Sequence, residues 1–486
     1  MAISILYSEP SKDNSDKINE RVIYHLFLDR SFSYICNDVK KRKCFLDIIS
    51  VLTKSKSEIE FRQDVLRDMQ SSPGLLNELI SVYARFDQLY ASYETTLREE
   101  RLLKMRSTAS RDSSKNILRS QALCLKRALL FVKAIGEILN KYSIKSAGLT
   151  TLRDVCIEIF SKDDFNDLIS SLNKYEMLSS NGFLDLRFKL GDDGCVSDVD
   201  LVNHRYIHVS DPELVRKSFS FFKRTEQKEY RCERVFPNKN GFFDSLSASA
   251  MDDMSNLFSS ISSEIFEKFG KVCRELDFYD IALKYINALE EKKIGYCYPK
   301  VLSDGGMKAT GLYDLYLLLS ESSADNIVPN DVDLSGRGTA VFGNNGSGKT
   351  VYLRSVGAMQ VLAQAGLPVP CQNAEIYPHS HIATQFSEAE KEFVEGNEAG
   401  RFEQEVREFA TMVQELRDGS LVLLNEPFQS TSYAEGAEGV YNILEYFSDC
   451  NISWILVSHL SQLEQRLSRM SATVMHTSEG YRLISN

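Results

Sequence analysis

The residues best suited to chemistry form a glycine-rich segment in the last third of the 486-residue chain. The segment matches the pattern G-x-x-x-x-G-K-[S/T] and consists of Gly343, Asn344, Asn345, Gly346, Ser347, Gly348, Lys349 and Thr350. Glycines in such a segment let successive backbone N–H groups turn inward around phosphate oxygens. Lys349 can reach the β- and γ-phosphates of a nucleotide, and the Thr350 hydroxyl can ligate Mg²⁺. Together with the next residue, Val351, the segment predicts a site for a nucleoside triphosphate with Mg²⁺.

A pair of polar residues, Asn425 and Glu426, follows the apolar run 421–424. In this Walker-B layout the first residue usually holds the Mg²⁺ shell, and the second orients the attacking water. The Asn425 amide can accept a hydrogen bond from metal-bound water but brings no negative charge, which predicts weaker Mg²⁺ retention and slower turnover. Glu426 keeps the carboxylate that a general base needs. The alternative for this pair is a strand end capped by polar residues.

Histidines near two other apolar runs are further candidates. His459 comes directly after the run 452–457 and Ser458, and open parallel sheets bind ligands at the carboxyl ends of their strands. We therefore predict that His459 senses the γ-phosphate, with a structural histidine as the alternative. His379 and His381 form an H-x-H pair, but no further ligand stands at a suitable spacing. We interpret these two as loop or strand residues rather than metal ligands.

Alternating strands and helices must position these residues. From about residue 300 onward, short apolar runs typical of buried parallel strands alternate with helical segments. One run, 339–342, precedes the glycine-rich segment, and a helix is predicted over 350–365. Strand, loop and helix in this order form the context that a phosphate-binding loop (P-loop) requires. The sequence therefore predicts an α/β P-loop NTPase domain over 300–486.

The chain before this domain has a mostly helical pattern. Within 58–182 apolar residues recur every three or four positions, which predicts amphipathic helices. The segment 183–240 begins with period-two alternation and a turn, which predicts a small β-containing insert. Within 241–299, helical spacing runs from Leu246 to Leu289 without proline and predicts one helix on the order of 65 Å long, or two nearly collinear ones. The alternative there is a core helix broken near Asp277, and the segment 1–57 receives no role.

Composition restricts the class of protein. Hydrophobic residues make up 43% and charged residues 26%, which argues against a largely disordered chain and against a membrane protein. The net charge of −11 argues against a uniformly basic nucleic-acid-binding surface but allows local positive patches. The ten cysteines are widely spaced without a C-x-x-C pair, which indicates reduced thiols rather than a zinc site. The start lacks a signal-peptide pattern, so we expect a cytoplasmic protein that spans no membrane.

Several segments around the P-loop resemble those of the MutS family of DNA mismatch-repair ATPases, which belongs to the ABC-type class. Residues 352–356 are similar to the family's "TYLRQV" segment, and residues 458–459 resemble its "TH" switch. Residues 327–332 resemble its adenine-contacting segment. The resemblance therefore implies ATP as the nucleotide and places Ile327 and Asn330 among the nucleotide-binding residues.

The resemblance extends more loosely to the helical region. Residues 61–66 resemble the start of the family's helical lever, and residues 431–432 and Gly436 stand where the family has a dimer-facing loop. The resemblance covers about 58–486. It implies a mostly α-helical lever domain with a clamp-like insert, followed by an ABC-type ATPase domain through which two copies of the chain pair.

Some positions depart from the family's pattern. Only about 57 residues precede the lever, too few for a mismatch-reading domain with its Phe-x-Glu wedge. The Phe-x-Glu at 393–395 falls inside the ATPase domain. The family's signature serine falls on Gly400, and its Walker-B aspartate is replaced by Asn425. These differences predict little or no mismatch recognition and slow hydrolysis.

The end of the insert is rich in basic residues with aromatic residues between them. This composition suits phosphate contacts with base or sugar stacking, although a solvated surface is the alternative. The residues predicted to contact DNA are Arg216, Lys217, Lys223, Arg224, Lys228, Arg231 and Arg234. The sequence thus predicts an ATP-dependent DNA-binding homodimer that acts in repair or recombination. The alternatives are a regulatory ATPase that clamps a protein or ribosomal RNA complex, and a nucleotide-binding dimer that hardly hydrolyses.

Overall fold

The computed structural model describes residues 3–8, 17–105, 111–160, 164–176, 185–190, 196–203, 205–207, 239–303, 306–334, 336, 338–386, 398–428, 432–467, 469–470 and 472–485. The backbone alone is described at 103–105, 111–113, 164, 174–176, 185–190, 196–203, 205–207, 239–250, 398–402, 461 and 485.

The helices, in chain order, are α1 Glu20–His25, α2 Leu28–Ser33, α3 Val39–Ile49, α4 Lys56–Ser71, α5 Leu75–Tyr83, α6 Phe86–Met105, α7 Arg111–Lys141, α8 Ala147–Phe160, α9 Asp164–Glu176, α10 Lys239–Glu291, α11 Leu315–Ser320, α12 Lys349–Gln364, α13 Glu398–Glu415, α14 Tyr433–Asp449 and α15 Ser461–Leu467. The strands are β1 Asp185–Leu190, β2 Val196–Asn203, β3 Arg205–Ile207, β4 Lys300–Val301, β5 Met307–Leu312, β6 Asn330–Leu334, β7 Gly338–Phe342, β8 Asn373–Ile376, β9 Ile382–Phe386, β10 Leu421–Asn425, β11 Ser453–Ser458, β12 Thr473–Thr477 and β13 Leu483–Ser485.

The chain forms two compact units. The first contains Met1–Ile5 and Ser71–Leu276, and the second contains Leu6–Gln70 and Asp277–Asn486. Residues 6–70, most of which received no role from the sequence, thus belong to the same unit as the P-loop. Within the described residues, no helix combines the length and the apolar character needed to cross a bilayer.

The first unit is built around helix α7, which contacts α5, α6, α8 and α9. The predicted amphipathic helices are confirmed, since Leu125, Leu129 and Val132 share one buried face of α7. Helix α8 approaches α7 so closely at Gly136 that a Cβ there would lie 2.4 Å from the Phe160 ring. A glycine at this point therefore sets the packing distance of the two helices.

Helix α10 runs through 53 residues without a break. At 1.5 Å per residue its length is roughly 80 Å. The prediction of one long helix is confirmed, and the alternative of a break near Asp277 is wrong. Its residues up to Leu276 belong to the first unit and those from Asp277 to the second.

Strands β1, β2 and β3 form an antiparallel sheet in the first unit. The register places Asp185 opposite Val202 and Leu190 opposite Val196, with a bulge after Lys189. The strand predicted from period-two alternation is therefore confirmed. The segment 208–238, which contains the basic residues predicted to contact DNA, lies outside the described residues.

The main sheet of the second unit has the order β13-β12-β7-β11-β10-β9. Its strands are parallel except β13, which pairs antiparallel with β12. The predicted α/β class is confirmed, because the runs expected as strands are β7, β10 and β11. These three lie side by side, so their carboxyl ends share one edge of the sheet. A second sheet, β4-β8-β5-β6, completes the strands of this unit in the part of the chain that the structure describes.

Helix α12, which begins with the P-loop lysine, is buried at every position from Tyr352 to Gln364. A helix that is buried on every side must be covered on every side by other elements. Strands β10 and β11 lie against it, and the N-terminal region also contacts it. A Cβ added to Gly357 would lie 2.5 Å from Leu423 of β10 and 2.6 Å from Leu26. The helix is thus held between the sheet and the N-terminal residues.

Candidate functional site

The P-loop connects strand β7 to helix α12 as a tight turn that depends on its glycines. Gly346 has φ +78° and Gly348 has φ +90°, a left-handed region that residues with a Cβ rarely adopt. At Gly343 a Cβ would lie 1.9 Å from the Thr477 hydroxyl of the neighbouring strand β12. The pattern found in the sequence is therefore a steric requirement of this loop.

Lys349 is buried and points back into the loop. Its ammonium donates to the carbonyl oxygens of Gly343, at 2.8 Å, and Asn344, at 2.9 Å. The same nitrogen lies 3.5 Å from a carboxylate oxygen of Glu426. The Lys349 side chain is only 4% exposed, and its positive charge is held at the mouth of the loop.

The two predicted Mg²⁺ ligands lie next to each other. The Thr350 hydroxyl donates a 3.0 Å hydrogen bond to the amide oxygen of Asn425. Thr350 stands in the first turn of α12, and Asn425 is the last residue of β10. Two residues 75 positions apart in the sequence therefore place two oxygen atoms that could ligate a metal ion next to each other.

Glu426 lies between Lys349 and His459. One carboxylate oxygen faces Lys349, and the other lies 3.3 Å from Nδ1 of His459. The backbone of Glu426 has φ +50°, and its N–H donates to the Val457 carbonyl of strand β11. A non-glycine residue in the left-handed region is uncommon and recurs at functional sites. The structure thus brings all three predicted catalytic residues together.

A cavity of about 230 Å³ opens beside this group. Its lining includes Asn345 of the P-loop together with Glu426 and His459. It also includes Tyr433, which sequence reasoning missed and whose ring meets the His459 ring edge to face at 6.0 Å. The pattern S-x-x-E, which begins helix α14 at its N-cap Ser432, could have placed Tyr433 in the first helical turn.

Ile327 and Asn330, the two residues predicted to contact adenine, lie just before and in strand β6. Ile327 and Asn330 are both partly buried, and the Asn330 amide binds the C-terminal hairpin. Its nitrogen donates to the Tyr481 carbonyl, and its oxygen accepts from the Leu483 N–H, each at 3.0 Å. A Cβ added to Gly348 of the P-loop would lie 3.2 Å from the Tyr481 ring, so the hairpin lies close to the loop. Asn330 therefore fixes the hairpin beside the P-loop, and an adenine contact by either residue stays a prediction.

The H-x-H pair serves the packing of the second unit. His379 is buried, and its Nδ1–H donates to the Gly419 carbonyl at 3.1 Å. His381 is also buried, with Nε2 3.9 Å from the Glu415 carboxylate. Burial lowers the pKa of His379 to about 4. No cluster of three or more metal-ligating side chains was found among the described residues.

The remaining predicted residues lie in the P-loop, in the first turns of two helices, or outside the described residues. Val351 is a partly buried residue of the first turn of α12, and Ser347 donates through its hydroxyl to the Asn344 carbonyl at 2.7 Å. Gly400 lies in the first turn of α13. Thr431, the segment 393–395 and the basic residues predicted to contact DNA lie outside the described residues: Arg216, Lys217, Lys223, Arg224, Lys228, Arg231 and Arg234.

Two protein families match the chain. Residues 339–481 match MutS domain V, and residues 54–292 match the MutS2 N-terminal domain. The first match covers the P-loop, strand β10 and the His459 segment, and the second covers the helical region and the insert. The motifs in the sequence indicated the MutS family but not that the N-terminal region is of the MutS2 type.

The chain is also similar to individual DNA mismatch repair proteins. The DNA mismatch repair protein MutS of Chlorobium phaeobacteroides is 32% identical over 197 residues, which are 39% of this chain and 22% of the relative. The corresponding protein of Chlorobium phaeovibrioides is 25% identical over 332 residues, 65% of this chain and 37% of the relative. The DNA mismatch repair protein MSH2 of Zea mays is 26% identical over 222 residues, 45% of this chain and 21% of the relative.

The matched regions thus span between 21% and 37% of these relatives. The predicted resemblance is confirmed across the ATPase domain and the helical region. MutS domain V is an ATPase domain, and the P-loop, Asn425, Glu426 and His459 all lie within its matched residues. This chain belongs to the MutS family, with the ATPase domain of that family and an N-terminal domain of the MutS2 type.

Proposed function

We propose that the chain is a Mg²⁺-dependent ATP hydrolase whose copies pair through their ATPase domains and couple the nucleotide state to clamping on DNA, in repair or recombination. One observation carries the enzymatic part of the proposal. Three separate segments bring Lys349, Thr350, Asn425, Glu426 and His459 to one edge of the sheet. These are the groups that phosphate binding, metal binding and water activation require.

The P-loop and Lys349 bind the triphosphate. In the structure the ammonium of Lys349 bonds to carbonyl oxygens of its own loop, which keeps the side chain extended across the cradle. Phosphate oxygens offer stronger, charged acceptors than these carbonyls. The loop amides and the amino end of α12 add further positive potential at the same point. The site therefore favours a polyphosphate over a neutral ligand.

The Thr350 and Asn425 oxygens fit a Mg²⁺ ion, because this ion takes oxygen ligands and keeps several waters. Neither side chain carries a charge, so the negative charge around the ion would come from the nucleotide phosphates. When bound, Mg²⁺ neutralises charge on the phosphates. We propose slow turnover because the uncharged Asn425 amide would retain Mg²⁺ only weakly.

Glu426 is placed to orient the attacking water. Its carboxylate is 15% exposed and opens onto the cavity, so a water there can reach it. His459 lies against the second carboxylate oxygen and positions it. The contact to Lys349 ties the same carboxylate to the phosphate-binding group. A change at the γ-phosphate would therefore reach both Glu426 and His459.

Single-turnover ATP hydrolysis tests the catalytic role. We expect Glu426→Gln to bind ATP as the wild type does but to hydrolyse it roughly 10²–10⁴-fold more slowly, since general-base contributions have this size. Glu445→Gln, a change at an exposed position of α14, is the matched control and should leave the rate unchanged. Equal rates for wild type and Glu426→Gln would mean that Glu426 has no catalytic role.

Pairing through the ATPase domains is supported by the surroundings of the cavity. Tyr433 is 70% exposed, although its ring lies against His459 at the cavity wall. Sedimentation with a non-hydrolysable ATP analogue should show a dimer, and Lys349→Ala should weaken both nucleotide binding and self-association. A monomer in every nucleotide state would contradict the pairing.

DNA binding is supported by the names of the relatives and by the basic segment of the insert. Binding to duplex, branched and mismatched DNA should weaken steeply with salt, as expected for phosphate contacts. We propose no preference for mismatches. If no DNA is bound at low salt in any nucleotide state, the DNA part of the proposal fails while the ATPase part stands.

The net charge of −11 favours a second candidate, a regulatory ATPase that clamps a protein or ribosomal RNA complex. Nucleic acid that co-purifies with the chain distinguishes the two. Loss of this nucleic acid after DNase treatment supports the first function, and loss after RNase treatment supports the second.

A further inference from the structure

Two cysteines of the second unit, Cys297 and Cys371, have their sulfur atoms 3.5 Å apart. They come from segments that pair in an antiparallel bridge, in which Cys297 and Val369 exchange both backbone hydrogen bonds. The pairing fixes the two segments on each side of the sulfur contact. The spacing of the two cysteines in the sequence gave no indication of this contact.

The two thiols differ in accessibility. Cys297 is partly exposed, whereas Cys371 is 1% exposed. The hydrogen bond from Cys371 lowers the pKa of Cys297, and the same contact together with burial raises the pKa of Cys371. An accessible thiol with a lowered pKa next to a buried second thiol is the arrangement in which one cysteine attacks and the other resolves.

We propose that Cys297 and Cys371 form a reversible thiol–disulfide site that a small-molecule disulfide, such as oxidised glutathione, converts to an intrachain crosslink. The Cys297 thiolate attacks one sulfur of glutathione disulfide, the S–S bond breaks, and one glutathione leaves and takes up a proton. The Cys371 thiol then loses its proton and attacks the Cys297 sulfur. The second glutathione leaves with that proton, so two protein thiols are oxidised and one glutathione disulfide is reduced.

Little movement is needed for the second step. A disulfide requires the sulfur atoms to approach by roughly a further 1.5 Å, which side-chain rotation can supply when the backbones are already paired. The crosslink would join the segment that follows helix α10 to the segment that follows helix α12. Tyr285, near the end of α10, already donates a hydrogen bond to the Pro368 carbonyl in the latter segment. Oxidation would thus add a covalent bond between two segments that this hydrogen bond already joins.

The position of the crosslink gives it a consequence for the P-loop. The two cysteines are 74 residues apart, and the P-loop with all of α12 lies between them in sequence. A disulfide would therefore close one covalent loop around the nucleotide-binding segment. It would also fix the end of α10 that belongs to the second unit against the exit of α12. This inference does not depend on the proposed function.

Peptide mapping of the full chain tests the proposal. The folded wild type is incubated with oxidised glutathione, its remaining thiols are alkylated, and trypsin is added without reductant. We expect peptide 294–300 linked to peptide 355–391, each of which contains a single cysteine, and we expect the link to disappear with a thiol reductant. The link should form roughly tenfold faster than any other cysteine pair, because its sulfur atoms are already in contact.

Variants provide the controls. Cys297→Ser should abolish the link, and Cys450→Ser, which changes another partly buried cysteine of the same unit, should leave it intact. Two results would overturn the proposal without any variant. One is a wild type that carries only glutathione on Cys297 and never the link. The other is a link that forms no faster in the folded chain than in urea.

Discussion

Helices α10 and α12 are positioned by different interactions: α10 by its own apolar face, and α12 by contacts of its buried polar side chains. Helix α10 is amphipathic, with buried and exposed positions alternating in helical periodicity along its side chains. Some of its charged residues form i,i+4 pairs, such as Lys284, whose side chain is 51% exposed, with Asp280. Such pairs stabilise a helix by only a few tenths of a kcal/mol. Helix α10 is therefore defined by its own apolar pattern.

Helix α12 is defined by its surroundings. Three of its buried polar side chains, Arg354, Gln360 and Gln364, bind parts of the second unit outside the helix. Arg354 forms two hydrogen bonds with the Asp314 carboxylate, and Gln364 donates to the Thr53 and His379 carbonyls. Buried polar groups cost stability unless they are satisfied, so these bonds allow one orientation of the helix. This fixes the amino end of α12, where the phosphates are expected.

The largest expected difference between the two helices concerns their charged residues. Arg354→Ala would leave the Asp314 carboxylate buried without its cation, and the Arg354 guanidinium also stacks on the Phe27 ring. We expect the free energy of unfolding of the second unit to fall by about 3–5 kcal/mol. Urea denaturation followed by the fluorescence of Trp454, the single tryptophan, measures it.

Lys284→Ala in helix α10 is the matched control. Its side chain is 51% exposed, so removing it should change the same free energy by less than about 1 kcal/mol. Comparable losses for the two variants would show that buried partners do not distinguish α12 from α10.

The same contrast explains what could be read from the sequence. Helix α10, the P-loop and strands β7, β10 and β11 follow from local patterns of apolar residues and glycines. The cover of α12 by the N-terminal residues depends on long-range contacts, such as Leu26 against Gly357, and no local pattern encodes them.

At the candidate site, residue types predicted the phosphate loop and the polar ends of β10 and β11, since parallel strands place these ends at one edge. The left-handed backbone at Glu426 and Phe428 could not be predicted, because neither residue type favours it. Nor could the attachment of Asn330 to the hairpin, which depends on a residue about 150 positions away.

An intermediate effect is expected at His379, which lies next to the end of α12. Its pKa is about 4 in the folded chain, well below the usual value of 6.5, because burial disfavours the charged ring. The unfolded chain therefore binds the proton more tightly. The stability from this group is fully present above pH 6.5 and is lost as the pH falls toward 4, about 2 kcal/mol of it by pH 5.

Trp454 fluorescence in urea at pH 7.5 and pH 5 measures this loss. His379→Gln cannot titrate but can still donate to the Gly419 carbonyl, so it should lose less stability between the two pH values than the wild type. An identical pH dependence in both proteins would assign the acid sensitivity to other groups.

The last comparison is between two helical glycines. In α12, Gly357→Ala would place a Cβ 2.5 Å from Leu423, so we expect the free energy of unfolding to fall by about 1–3 kcal/mol from overpacking.

In α10, the corresponding Cβ of Gly270→Ala would lie 3.3 Å from the edge of the Phe86 ring. A ring edge can shift by a few tenths of an ångström, and alanine favours a helix over glycine by up to about 1 kcal/mol. Gly270→Ala should therefore be neutral or slightly stabilising. Urea unfolding followed by circular dichroism at a helix wavelength reports on both units, and a loss at Gly270 as large as at Gly357 would mean that α10 is packed as tightly as α12.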